Sequence, residues 1–340
     1  MSTKLHHTDV PKRLSDSLQN KHVTFLTAPP AYGKSVLLVD LLSRDSRRAI
    51  MLIPNKVSVL LLHKYVTKLY TNRKIGYRMS NESFSSLEDD LTLMTTGYFL
   101  EWITHNNKVM KRPLLLVIDE AHVSDEQTDS VIRISLNHYR KINDNLKIIL
   151  SSATLDIERF KESINGNIDI ISVPGYFPNV DITYVSGKST QSYTAKIMDI
   201  LETELVGINT LIICSGENEI YSLISILNER GSSVFEKASI KPLFSKLDHE
   251  EITDALNIKA DEWTIIISTN IVESSITIDG VDAVIDTGYR KLAYIDSKGR
   301  TLLKEELASK SNIIQALNRC GRGKKRGKGY ILMDESKYNN

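Results

Sequence analysis

Short apolar runs alternate with amphipathic ones along most of the chain. Val23–Thr27, Ala49–Ile53, Leu91–Met94, Leu114–Ile118, Lys147–Leu150 and Ile168–Val173 are apolar at nearly every position. A parallel strand covered on both faces requires that pattern, whereas a half-exposed strand alternates. Between these runs, Ser35–Leu42, Val57–Tyr70, Tyr98–His105 and Thr128–Lys141 space their apolar residues as a helix does. Strand–helix alternation predicts an α/β fold with a parallel sheet between helical layers.

The alternation pauses at Val173-Pro174-Gly175-Tyr176-Phe177-Pro178, where two prolines remove backbone donors and a glycine loosens the chain. It then resumes. Val180–Val185, Thr210–Cys214, Ser233–Lys237, Thr264–Ser268, Ala283–Asp286 and Gly329–Met333 read as strands. Tyr193–Val206, Asn218–Arg230, His249–Ile258 and Ile313–Arg319 read as helices. Two similar α/β lobes, 1–176 and 177–340, are expected, joined near residues 174–180. Arg290–Tyr294, a turn at Asp296-Ser297-Lys298-Gly299 and Arg300–Leu303 read as a hairpin.

The first strand runs into Thr27-Ala28-Pro29-Pro30-Ala31-Tyr32-Gly33-Lys34-Ser35 and then a helix. A loop at a helix N-terminus presents backbone N–H groups to phosphate. Gly33, Ala31 and Tyr32 would line the cradle, Lys34 would reach the β- and γ-phosphates, and Ser35 would hold Mg²⁺. Alone, the segment favours this reading over a plain turn bearing a surface lysine. Leu114–Ile118 ends in Asp119-Glu120-Ala121-His122. Two carboxylates at the end of a buried strand are costly unless used. Asp119 would join the metal shell and Glu120 would orient and deprotonate the attacking water. The loop and the acid pair, on two strands of one lobe, point to an NTPase.

Composition narrows the partners. The 340 residues are 41% hydrophobic and 25% charged, which excludes a disordered chain. Forty-three Lys and Arg against 42 Asp and Glu leave a net charge of +1. Any nucleic-acid binding must therefore use a local arrangement of donors rather than bulk charge. Cys214 and Cys320 are the two cysteines and lack metal-ligand spacing, so a zinc module is excluded and a reducing, intracellular setting, cytoplasmic or nuclear, is expected. No signal region or membrane-length apolar stretch is visible, so no membrane partner is expected.

Asp119-Glu120-Ala121-His122, with the segments that follow, resembles superfamily 2 helicases of the DEAH/RHA group and related viral RNA helicases. Ser152-Ala153-Thr154 resembles the family's linkage motif. Pro54-Asn55-Lys56 and Thr95-Thr96-Gly97 fall where its first-lobe nucleic-acid contacts lie. Cys214–Ile220, Pro242–Leu247 with Glu250-Glu251, Ser268–Gly280 and Val284–Gly288 continue the likeness. Gln315-Ala316-Leu317-Asn318-Arg319-Cys320-Gly321-Arg322 completes it with two changes.

The resemblance implies two tandem RecA-like lobes and an ATP- and Mg²⁺-dependent RNA helicase moving 3′→5′ on single-stranded or tailed nucleic acid, RNA rather than DNA. Arg319 and Arg322, three apart on a predicted helix, would face the phosphates across an interlobe cleft, with Gln315 placing water. Thr277 and Asp279 would lie near the ribose, and His122, Ser152 and Thr154 would couple the lobes. Lys56, Thr95, Thr96, Ser215, Gly216, Thr269 and Asn270 would form the nucleic-acid track, most of them uncharged donors aimed at phosphate. The family uses a hairpin at the duplex junction, where Tyr294 or Ile295 would touch a base, although the residues by themselves favour an ordinary surface strand position.

Departures from the family pattern refine this. Ala28 and Ala31 stand where glycines are usual, Asn318 and Ala316 replace a glycine and an arginine, and Leu256 stands for a base-stacking aromatic residue. Poor discrimination among nucleoside triphosphates is expected. The final strand closes soon after Arg322, so a bare motor core without C-terminal accessory domains is expected, with low processivity or a protein partner that supplies the missing cage. The alternative is an NTP-gated RNA clamp or remodeller with little unwinding of its own.

Overall fold

The computed structural model describes the chain apart from residues 1–8, 30–31, 46, 81, 85–88, 107–113, 122–125, 140–142, 154–167, 174–178, 186–192, 230–233, 260, 274–277, 296–299, 322–325 and 337–340. Its contacts divide it into two units, Met1–Tyr176 and Phe177–Asn340.

The first unit runs α1 (Val10–Asn20), β1 (Val23–Thr27), α2 (Lys34–Arg44), β2 (Arg48–Ile53), α3 (Lys56–Leu69), β3 (Ile75–Met79), β4 (Glu82–Phe84), β5 (Leu91–Thr95), α4 (Thr96–His105), β6 (Leu114–Ile118), α5 (Glu126–Ile134), a π-helical turn at Ser135–Tyr139, β7 (Leu146–Ser152) and β8 (Ile168–Ser172). Its eight strands lie in the order β4-β3-β5-β2-β6-β7-β1-β8. All pair in parallel except β4, which is antiparallel to β3. Both faces are covered. Leu26, Met51, Leu115 and Val117 pack against Leu14, Leu37, Leu38 and Val59 on one side. Phe25, Leu52, Leu116 and Ile118, their neighbours in sequence, pack against Phe99, Ile103 and Val131 on the other. Side chains alternate across a strand, so continuous apolar runs feed two cores at once.

The second unit runs β9 (Val180–Tyr184), α6 (Tyr193–Thr203), β10 (Thr210–Ile213), α7 (Glu217–Glu229), β11 (Ala238–Leu243), α8 (His249–Ala255), β12 (Trp263–Ser268), a short turn at Asn270–Glu273, β13 (Ala283–Asp286), β14 (Tyr289–Ile295), β15 (Thr301–Leu307), α9 (Lys310–Leu317) and β16 (Gly327–Ile331). Six strands form a parallel sheet, β11-β12-β10-β13-β16-β9. β14 and β15 form a separate antiparallel hairpin, paired from Tyr289↔Leu307 to Ile295↔Thr301. The chain thus contains two RecA-like α/β units in tandem. Among the described residues, no helix is long and apolar enough to cross a membrane.

Four elements differ from the sequence pattern. The strand expected at Ser233–Lys237 is instead a 3₁₀ turn at Phe235–Lys237, and the strand follows as β11, with Pro242 inside it. β11 is an edge strand, where a missing donor is tolerated and polar positions remain partly exposed. α1 was not expected, yet Val10, Leu14 and Leu18, four residues apart, bury one helical face, and Pro11 suits the first turn. β3 and β4 were also not expected, because Gly76 and Arg78 interrupt the apolar pattern at the sheet's margin.

Candidate nucleotide and nucleic-acid site

Strand β1 leaves the sheet through Ala28, whose N–H donates to the Ser152 carbonyl at 3.1 Å. Gly33 then takes a left-handed backbone, φ +85°, and α2 starts at the next residue. A Cβ there would meet nothing within 4 Å, so the backbone angle, not space, calls for glycine. The first turn of α2 carries no acidic residue, leaving its N–H groups and positive dipole end suited to an anion. Lys34 is buried, and its ammonium donates to the Ala28 carbonyl at 3.3 Å. Tyr32 packs against the adjacent core.

Asp119 and Glu120 sit just past β6, with β7 separating that strand from β1. The Asp119 N–H donates to Leu52 at 3.0 Å and the Ala121 N–H to Ser151 at 2.8 Å. The Ser35 hydroxyl donates to the Asp119 carboxylate at 2.5 Å, joining the phosphate loop to the acid pair directly. The Glu120 N–H donates to the other Asp119 oxygen at 3.0 Å. Burial, reinforced by the Glu120 charge, lifts Asp119 to about 6, against the pull of the Lys34 ammonium and the Ser35 and Ser151 hydroxyls. Glu120 is itself buried, with φ +53°, a backbone region that costs a side-chain-bearing residue roughly 1 kcal/mol or more. The arrangement can bind an anion at the helix end and offers oxygen ligands to a hard cation beside a second carboxylate.

The first unit therefore brings Gly33, Lys34, Ser35, Asp119, Glu120 and Ser152 together. Thr95 and Thr96, where β5 passes into α4, are buried, while Lys56 is exposed at the start of α3. In the second unit, Ser215 and Gly216 follow β10 and are buried, whereas Thr269 and Asn270 follow β12 nearer the surface. A Cβ on Gly216 would lie 2.7 Å from the Lys291 ammonium and 2.9 Å from the Glu219 carboxylate, so the loop is closely packed there. Asp279 is exposed and Gln315 is buried within α9. Ala31, His122, Thr154, Thr277 and Arg322 lie outside the described residues, as do the side chains of Tyr294 and Ile295.

One expectation is corrected. Arg319 is not on a helix: α9 ends at Leu317, and the Arg319 N–H returns to Ala316 in a tight turn after Asn318. The helical spacing argument for Arg319 and Arg322 therefore does not hold. Arg319 is buried, and its guanidinium donates to the backbone carbonyl of Glu273.

Glu273 belongs to a set of charged residues that sequence reasoning missed. The Arg290 guanidinium grips the Asp286 carboxylate with two bonds, at 2.7 and 2.9 Å, and donates its Nε–H to Glu273. The three side chains are 3%, 0% and 5% exposed. The other Glu273 oxygen accepts from Asn312 at 2.8 Å. Burial and the Asp286 charge raise Glu273 to about 7, although Arg290 opposes the shift. The only sequence signal was an arginine next to an apolar strand, two residues after Gly288.

Family models match on both sides of the break. The DEAD/DEAH box helicase model covers residues 8–163, and the helicase conserved C-terminal domain model covers 180–324. The chain is 27% identical to an ATP-dependent RNA helicase HrpA of Borreliella burgdorferi over 94% of its own length and 40% of the relative's. It is 29% identical to a probable ATP-dependent RNA helicase DHX35 homolog of Caenorhabditis elegans, covering 86% of this chain and 42% of that one. A putative ATP-dependent RNA helicase L540 of Acanthamoeba polyphaga mimivirus matches at 25% identity, with 91% and 47% covered. The chain thus spans less than half the length of these relatives. A crystal structure of the Escherichia coli DEAH/RHA helicase HrpB superposes with a TM-score of 0.85 at 22% identity, over 97% of this chain and 43% of that one, a likeness of fold.

Proposed function

We propose that this chain, matched in turn by the DEAD/DEAH box helicase and helicase C-terminal domain models, is an RNA-stimulated nucleoside triphosphatase that moves along RNA and separates strands, 3′→5′. One observation carries the reading. The phosphate loop and the acid pair are joined by the Ser35–Asp119 hydrogen bond, with the Lys34 ammonium near enough to pull against the Asp119 shift. This all-oxygen donor pair fits a Mg²⁺ ion held by Ser35 and Asp119, which when bound would neutralise phosphate charge.

The chain's own groups account for the remaining chemistry. The N–H groups opening α2 hold the β-phosphate. Lys34 exchanges the Ala28 carbonyl for the γ-phosphate, and Glu120 orients a water and accepts its proton. Arg319 and Arg322 of the second unit meet the developing charge, with Gln315 beside the water. Thr277 and Asp279 lie on the ribose side, and His122, Ser152 and Thr154 link nucleotide state to lobe movement. Lys56, Thr95, Thr96, Ser215, Gly216, Thr269 and Asn270 contact RNA phosphates.

An unwinding assay on RNA and DNA duplexes with 3′ or 5′ tails, with Glu120→Gln as the control, tests the proposal. ATP-dependent opening of 3′-tailed RNA is expected. Opening of 5′-tailed duplexes alone would refute the direction. RNA-stimulated hydrolysis without strand separation would mark an NTP-gated clamp instead.

A further inference from the structure

The Asp286–Arg290–Glu273 cluster lies outside the nucleotide site of the first unit, yet it carries three buried charges. Its connections give it a function. Arg290 is the second residue of β14, at the root of the hairpin. That root is tightly defined. The Gly288 N–H donates to Asp286 at 2.8 Å, the Ala308 N–H to the Gly288 carbonyl at 2.9 Å, and Gly288 has φ +80°. From there Arg290 reaches Glu273 on the turn after β12. Glu273 holds α9 from both ends: its carboxylate accepts from Asn312 in the first turn, and its carbonyl accepts from Arg319 beyond the last.

Successive strand residues point to opposite faces. The next residue, Lys291, turns the other way and pairs with Glu219 at 2.9 and 3.1 Å, where a Cβ on Gly216 would also collide with it. The hairpin root therefore touches the Ser215-Gly216 loop with one residue and the support of Arg319 with its neighbour.

We propose that Arg290 is a positioning residue that, through Glu273, sets the placement of Arg319 and ties it to the state of the hairpin and of the Ser215-Gly216 loop. A guanidinium suits the task because its fork holds one carboxylate with two bonds while Nε–H holds another. The inference rests on the reading of Arg319 as the group that meets phosphate charge. Spatial connection alone does not establish coupling, so a mutant cycle decides it.

The variants are Arg290→Gln with Asp286→Asn, which removes one charge of each sign and keeps hydrogen-bonding groups, Arg319→Ala, and all three changes together. For each, kcat and KM for ATP with and without saturating single-stranded RNA, RNA affinity and thermal unfolding are measured. The Arg290/Asp286 pair is expected to lower RNA-stimulated kcat about tenfold, with KM and RNA affinity within about twofold of the parent. It is expected to cause no further loss in the Arg319→Ala background. Full additivity with Arg319→Ala, or an unchanged kcat in the pair, overturns the proposal. If Arg319→Ala alone leaves kcat unchanged, the charge-meeting reading of Arg319 fails first, and the proposal falls with it. Should the paired variant not fold, Arg290→Lys substitutes: it keeps the charge but loses the second carboxylate, and a kcat equal to the parent's refutes the proposal.

Discussion

Each unit buries a pair of carboxylates, Asp119 and Glu120 just past β6 in the first, Asp286 ending β13 and Glu273 on the turn after β12 in the second, and the two units answer that charge in opposite ways. In the first unit, Asp119 is met by a hydroxyl and a backbone amide, while the Lys34 ammonium, which donates to a carbonyl, acts on it through charge. In the second, Asp286 and Glu273 are met by the guanidinium of Arg290 and by Asn312. Buried charge without a fixed counter-charge is costly, and a protein retains it where a ligand completes the balance. Charge that is balanced internally specifies geometry instead. The first pair is built to receive something, and the second to hold something in place.

The largest effects that test this contrast fall on turnover. Lys34→Ala or Glu120→Gln should each lower kcat by at least about a hundredfold while leaving the circular-dichroism spectrum and unfolding midpoint nearly unchanged. Unfolding of both variants would show that these groups are structural, and would erase the contrast.

The second unit should behave in reverse. Arg290→Ala strands two buried carboxylates and should lower unfolding stability by about 3 kcal/mol or more in a denaturant titration. A change too small to measure would show that the cluster is not holding the fold.

Asp119 sharpens the comparison through pH. Its folded pKa, about 6, exceeds the ordinary value of 3.8. The folded state thus binds the proton more tightly than the unfolded chain, and this group's contribution to stability falls as pH rises from about 4 to about 6. Above that window, Asp119→Asn should stabilise the protein by about 2 kcal/mol and at pH 4 by little, while abolishing turnover. Equal stabilisation at both pH values would contradict the raised pKa. Because the charged form is the proposed metal ligand, Mg²⁺ affinity of the parent should also decline below about pH 6.

The smallest expected effect concerns the base. Leu256, which follows α8, is proposed to offer the base an aliphatic contact. ATP, GTP, CTP and UTP should be hydrolysed with kcat/KM values within about tenfold of one another, since stacking contributes only about 1 kcal/mol. A strong ATP preference would point to a base-reading group elsewhere.

Much of this molecule was legible from local pattern. Strands such as Leu114–Ile118, buried on both faces, are apolar at every position, and no helix imitates that over five residues flanked by breakers. That Gly33-Lys34-Ser35 and Asp119-Glu120 come together was legible because each follows a buried parallel strand of one sheet. β11 was not, because an edge strand keeps polar and proline residues that imitate a loop. Arg319 was misassigned to a helix because nothing local shows that Asn318 ends it. The cluster was invisible because Glu273, Asp286, Arg290 and Asn312 carry no common spacing.

By itself, the amino-acid sequence determined the α/β alternation, the two tandem units and the chemical character of the nucleotide site, since hydrophobic period and residue type act over a few neighbours. Only the tertiary structure decided how the buried charge is answered. Whether a carboxylate meets a hydroxyl, as Asp119 does, or a guanidinium, as Asp286 does, depends on which side chains the sheet and hairpin bring within about 3 Å of it, the reach of a hydrogen bond.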